Sequence, residues 1–133
     1  MRKLLTLLSL VPALAGAFVV SPGIAVSPKS DIPALAAAGF KLVRIPFETE
    51  PDPHTVKLAV SRGMKVVLDF HPPQSWIADP FAVYGLPSKW AGWARAFAGY
   101  SSDEVAFELL NEPRMGKRVK AYDAILVATI EAI

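Results

Sequence analysis

Short apolar runs alternate with helix-forming stretches along this 133-residue chain, and three of the runs stop on a polar side chain. The runs end as Val43-Arg44-Ile45-Pro46, Leu68-Asp69-Phe70-His71 and Leu110-Asn111-Glu112-Pro113. Met64 to Phe70 is short and nearly continuous in apolar residues, as expected for a buried parallel strand. Between the runs, Ser30 is placed to cap a helix through Ala38 with Pro33 in its first turn and Gly39 as its stop. Pro51 to Arg62 reads as a second helix stopped by Gly63, Pro87 or Ser88 opens a third that reaches Tyr100, and Lys117 to Ile133 forms a fourth. His71 to Leu86 reads as a long loop rich in Pro, Gly and aromatic residues, and Val105 to Leu110 as a strand. A first strand within Phe18 to Val26 is interrupted by Pro22 and Gly23.

A β-then-α repeat with short connections forces a parallel sheet with right-handed crossovers. A doubly wound sheet and a (β/α)8 barrel both satisfy this. The first is favoured by a glycine-rich phosphate turn, which the sequence lacks. Side chains alternate across a strand, so if Arg44, His71 and Glu112 face one way, Leu42, Val67, Asp69, Ala106, Glu108 and Leu110 share that face. Val43, Ile45, Val66, Leu68, Phe70, Phe107 and Leu109 then face the helices. One apolar face and one face carrying charges within the strands fit a barrel, whose chemistry gathers at the C-terminal ends of its strands. The expected fold is α/β, a partial (β/α)8 barrel of about the first four βα units.

The polar strand ends define the candidate site. Twenty-seven residues separate Arg44 from His71 and 41 separate His71 from Glu112, spacings that suit successive βα units. A carboxyl at Glu112 in a partly enclosed cleft is expected to have its charged form disfavoured, and so to hold a proton for a leaving group, with a solvated loop carboxylate as the plainer role. Asn111 adds a neutral donor and acceptor suited to a ligand hydroxyl. Arg44 is a permanent cation that keeps a nearby carboxylate ionised, or a structural ion-pair partner of Asp69 or Glu108. His71 can bind hydroxyls or join the carboxylate network, or serve as a satisfied core histidine. Trp76, in the long loop, offers an aromatic platform for a flat apolar ligand face, with loop packing as the plainer role. Trp90 and Trp93 sit on a helix and read as core. His54 and the Lys117-Arg118-Lys120 cluster read as solvated helix positions.

Composition narrows the classes. Hydrophobic residues make up 53% and charged residues 20%, which excludes a disordered tail. Arg2 and Lys3 precede an apolar run from Leu4 to Val11, followed by the small residues Ala15, Gly16 and Ala17. This three-part pattern predicts a signal peptide over residues 1–17, cleaved after Ala17, and a secreted or periplasmic product. Without those two cations the basic and acidic residues balance, so nucleic-acid binding has no electrostatic support. There are no cysteines, and two histidines without i, i+4 pairing give no metal-ligand pattern. No cofactor and no metal are expected, nor a membrane association after cleavage.

The three strand-end motifs resemble those of glycoside hydrolase family 5, the cellulase-like family. Gly39-Phe40-Lys41-Leu42-Val43-Arg44-Ile45-Pro46 looks like its second-strand motif and Val67-Leu68-Asp69-Phe70-His71 like its third. Phe107-Glu108-Leu109-Leu110-Asn111-Glu112-Pro113 looks like its fourth, where the glutamate is the acid/base. Trp90, Trp93, Ala94 and Phe97 fit the helix leading into that strand. The resemblance runs over about residues 24 to 130. Asn-Glu-Pro alone is shared with other barrel glycosidases, family 1 β-glucosidases among them; three motifs in order are far more specific. The resemblance implies a retaining glycosidase acting on a β-linked polysaccharide by double displacement, with cellulose, mannan, xylan and β-1,3-glucan all open as substrates. Glu112 would be the acid/base, and Arg44, His71, Asn111 and Trp76 would bind substrate. It also implies a nucleophile on a seventh strand. Residues 18–133 are therefore expected to be the N-terminal half of the barrel domain, truncated and inactive alone. A non-catalytic sugar-binding half-barrel that folds with a partner is the alternative. An aldolase-like or phosphate-binding barrel would need a strand-end lysine or a phosphate loop, and neither is present in these motifs.

Overall fold

The computed structural model describes residues 23–26, 31–113 and 119–133. The expected leader, Ser30 and the Lys117-Arg118 pair lie outside these residues. Four strands, β1 (Gly23–Ala25), β2 (Leu42–Phe47), β3 (Lys65–Phe70) and β4 (Val105–Glu108), form one parallel sheet in the order β1-β2-β3-β4. The order never reverses. Successive right-handed crossovers in one direction put the connecting helices on one face, whereas a doubly wound sheet needs a switch point. The strand order is that of the opening units of a (β/α)8 barrel.

Local chemistry starts and stops the helices. α1 (Ile32–Ala37) is capped by Asp31, whose side chain accepts from the Ala34 amide at 3.1 Å. Capping thus falls one residue later than the expected Ser30. α2 (Pro53–Ser61) is capped by Asp52, which accepts from the amides of His54 at 3.0 Å and Thr55 at 3.3 Å. Gly39 and Gly63 follow these helices with φ of +93° and +72°, where a side chain would be strained. The expected loop from His71 to Leu86 contains two short helices, α3 (Gln74–Ala78) and α4 (Pro80–Tyr84). Asp79 caps the second through the Phe81 amide, and Pro80 supplies a helical φ. α5 (Leu86–Ala96) and α6 (Val119–Ala132) complete the order. Among the described residues no helix is long and apolar enough to cross a membrane.

The core lies between the sheet and the helices. Val43, Ile45 and Phe47 of β2 and Val66, Leu68 and Phe70 of β3 are buried there against Val56, Leu86, Trp90, Trp93 and Phe97. Phe47 meets Trp93 edge-on at 5.1 Å between ring centroids, and Trp90 meets Trp93 at 5.3 Å. These are the geometries that the aromatic quadrupole favours. On the other face Leu42, Arg44, Pro46, Val67, Ala106 and Glu108 are only half-buried. The register sets Arg44 beside Val67 and Ala106 and, one row nearer the C-terminal ends, Pro46 beside Asp69 and Glu108.

Candidate functional site

Arg44 organises the C-terminal ends of the strands. Its Nε donates to Glu108 Oε2 at 2.7 Å and its Nη2 to Glu108 Oε1 at 2.9 Å, a two-pronged grip across the sheet. Nη2 also donates to Asn111 Oδ1 at 2.9 Å and lies 2.9 Å from Asp69 Oδ2. His71 Nδ1 stands 3.1 Å from that same Asp69 oxygen, and His71 Nε2 is 3.2 Å from Asn111 Nδ2. The main chain fixes the bearers of these groups. The His71 amide donates to the Phe47 carbonyl and the Asn111 amide to the Phe70 carbonyl, both at 2.8 Å, so the ladder continues past the strand ends. The Trp90 indole donates to the Leu109 carbonyl at 2.9 Å, tying the approach to Asn111 onto α5.

Electrostatics follow from this packing. The Arg44 hydrogen bond holds the Glu108 carboxyl below the usual carboxylate range, and the same bond raises the Arg44 guanidinium further above its ordinary value. Asp69 goes the other way. Its side chain is fully buried, and loss of solvent pushes its carboxyl up despite His71 and Arg44, with nearby Glu108 adding to the rise. Its Oδ1 has no hydrogen-bond partner among the described residues.

Of the three residues expected together, Arg44 and His71 each contact Asn111. Glu112 follows Asn111 directly and its charge is felt by Arg44. The enclosure expected around it is not seen: the Glu112 side chain is exposed. Its backbone has φ of +40° just before Pro113, a conformation that a glutamate seldom adopts and that is more common at functional sites than elsewhere. Trp76 lies apart from the cluster. It is half-buried on α3 and its ring stands edge-on to Phe70 at 5.0 Å, the loop-packing role. Trp90 and Trp93 are core, as expected. The structure adds Asp69 and Glu108 to the cluster. Their shared parity with His71 and Glu112 places them on the inner face, and only the cross-strand distances show that both are bound to Arg44. Beside the cluster a cleft of about 550 Å³ is lined by Arg44, Phe47, Glu48, Glu50, Thr55 and His71. Trp93 Nε1 donates to Glu50 Oε2 at 2.6 Å at its edge.

Such a site presents fixed donors and acceptors at the C-terminal end of a parallel sheet, with an exposed carboxylate next to them. Among the described residues no group of three or more His, Cys, Asp or Glu side chains could hold a metal ion.

Residues 19–133 match the family model for cellulase (glycosyl hydrolase family 5). No curated protein matches the sequence significantly. Among solved structures, Thermotoga maritima Cel5A in complex with cellobiose superimposes with a TM-score of 0.67 and 19% identity, over 84% of this chain and 47% of that one. A GH5-4 broad specificity endoglucanase from Clostridium acetobutylicum gives 0.64 and 21% identity, over 80% of this chain and 43% of that one. Another from Clostridium longisporum gives 0.61 and 22%, over 77% and 38%. At such identities the likeness is one of fold, and this chain spans less than half the length of these three proteins. With the family match running over residues 19–133 and the strand order following the first βα units of these barrels, the chain belongs to glycosyl hydrolase family 5, the cellulase family.

Proposed function

We propose that this chain carries the acid/base half of a retaining β-glycosidase site acting on a β-linked polysaccharide of the glucan or mannan type. The observation that carries the reading is the contact of Arg44, His71 and Asn111 at neighbouring strand ends, immediately beside Glu112. In a double displacement Glu112 protonates the leaving oxygen while a second carboxylate, about 5 Å away, attacks the anomeric carbon; Glu112 then takes a proton from the water that releases the sugar. Asn111 hydrogen-bonds a sugar hydroxyl, held in place by its contact with His71. Glu108 is gripped by Arg44 on Glu112's own strand and so is unsuited to attack. The 133 residues alone therefore bind glycan without turning it over. The Arg2-Lys3 and Leu4 to Val11 pattern supports export to a secreted or periplasmic location.

Titrating the purified chain with cellotetraose and mannotetraose, and assaying release of reducing ends, tests this. Binding that survives Glu112→Gln but fails in Arg44→Met is expected, with no turnover by either. Turnover by the 133-residue chain that Glu112→Gln abolishes would refute inactivity, and failure to bind any β-linked tetrasaccharide would remove the glycosidase reading.

A further inference from the structure

The proposed cleavage assigns work to Arg44, His71, Asn111 and Glu112 and leaves one buried ionisable side chain unused. Asp69 is fully buried among them. The atom identities in the cluster are fixed by what each group can do. A guanidinium only donates, so the Asn111 atom 2.9 Å from Arg44 Nη2 is its carbonyl oxygen. The Asn111 amide nitrogen then faces His71 Nε2 at 3.2 Å. An amide nitrogen also only donates, so Nε2 holds a lone pair and the imidazole proton sits on Nδ1. Nδ1 donates in turn to Asp69 Oδ2 at 3.1 Å, the oxygen that pairs with Arg44 at 2.9 Å. Four side chains thus close a ring in which each fixes the orientation of the next.

The ring depends on one atom. Asp69 Oδ1 has no hydrogen-bond partner among the described residues, so the hold of this carboxylate on the site runs through Oδ2. Without Oδ2 the Nδ1–H loses its acceptor and the proton can move to Nε2. An Nε2–H confronts the Asn111 amide nitrogen, donor against donor. Turning the amide over relieves that clash only by setting its N–H groups against Arg44. With the ring intact, the Asn111 carbonyl is spent on Arg44 and one N–H on His71, which leaves a single N–H for a ligand.

We propose that Asp69 is a positioning residue: through His71 and Arg44 it holds the Asn111 amide in the one orientation that keeps its second N–H available to a ligand hydroxyl. The proposal rests on the glycosidase reading only for the identity of that ligand.

Long-range ¹H–¹⁵N spectra of the full chain read the His71 tautomer directly, and exposed His54 on α2 is the only other histidine and serves as reference. The wild type is expected in the Nδ1–H form. Asp69→Asn must turn its carbonyl oxygen toward Arg44, so it keeps the acceptor, the tautomer and cellotetraose affinity within about twofold. Asp69→Ala is expected to give mixed tautomers, shifted Asn111 amide protons and affinity about fivefold to tenfold weaker, the scale of one hydrogen bond. A purely structural Asp69 would lower the unfolding midpoint of Asp69→Ala and leave tautomer and affinity of the folded protein untouched; that result overturns the proposal. If Asp69→Ala does not fold, an Nε2–H imidazole in either the wild type or Asp69→Asn overturns it instead. The expected tautomers without cellotetraose binding by any of the three proteins would support the ring and reject the glycan reading.

Discussion

The two faces of the same sheet are held by different physics. On the helix-covered face Val43, Val66, Leu68 and Trp90 are fully buried, and cohesion is apolar area with edge-to-face aromatic packing. On the inner face the Arg44 and Glu108 side chains remain 30% and 37% exposed, and cohesion comes from directed contacts to a few atoms. Burial on the first face tolerates changes of shape poorly but asks little of atomic identity. The second face asks for donors and acceptors at set positions, the property a binding site needs. Family 5 membership makes that division intelligible: the covered face builds the barrel wall and the inner face is where a sugar is proposed to sit.

The contrast can be broken at several points. Trp90→Ala removes the largest fully buried side chain among the described residues and the indole bond to Leu109, and is expected to cost about 3–5 kcal/mol in chemical denaturation. A cost below about 1 kcal/mol would mean that α5 is no part of the wall. Arg44→Met leaves the fully buried Asp69 without its cation and should cost about 3 kcal/mol, most of it recovered by adding Asp69→Asn. Equal losses from the single and double variants would show that the pair is not coupled. Adjacent residues on β3 sharpen the comparison further. Val66→Thr puts a hydroxyl into the apolar face and should cost about 1–3 kcal/mol, whereas Val67→Thr on the half-buried face should stay within about 0.5 kcal/mol. Similar values at the two positions would erase the distinction between faces.

The smallest effect is one of pH. The Glu108 carboxyl is held below its ordinary value of 4.5, chiefly by the Arg44 hydrogen bond. Its contribution is therefore complete above that value and lost as pH falls through the depressed one. Asp69, pushed above 3.8 by burial, has the opposite sign: its ionisation costs stability as pH rises through the raised value. Because Glu108 is more than a third exposed, Glu108→Gln should lower stability by no more than about 1 kcal/mol at pH 7. The gap between variant and wild type should close on acidification, and a gap that widens instead would reverse the sign assigned to Glu108.

Much of the covered face was legible from residue order. Parity along β2 and β3 assigns Val43, Ile45, Val66, Leu68 and Phe70 to the helices, and all five are buried there. Alternation alone does this, since a strand has only two sides. Helix boundaries were less legible around Asp31 and Asp79, because several polar residues compete to cap a helix and geometry chooses among them. The short helices between His71 and Leu86 were hidden for a related reason: one or two turns carry too few residues to show a period.

The inner face divides in the same way. That Arg44, His71 and Asn111 belong at one rim was read from their nearness to the ends of the apolar runs; Arg44 is in fact the third of six residues in β2 and meets Asn111 through the reach of its side chain. Which atoms meet did not follow. The joining of Asp69 and Glu108 to Arg44 depends on register between strands distant in sequence, and the packing of Trp76 on Phe70 depends on how α3 folds back. The open surroundings of Glu112 were equally beyond reach, since exposure is a property of what surrounds a residue in space. Local order fixes period, side and strand end through the stereochemistry of the backbone; distances across the sheet and the burial of a single carboxylate are decided only when separate segments pack.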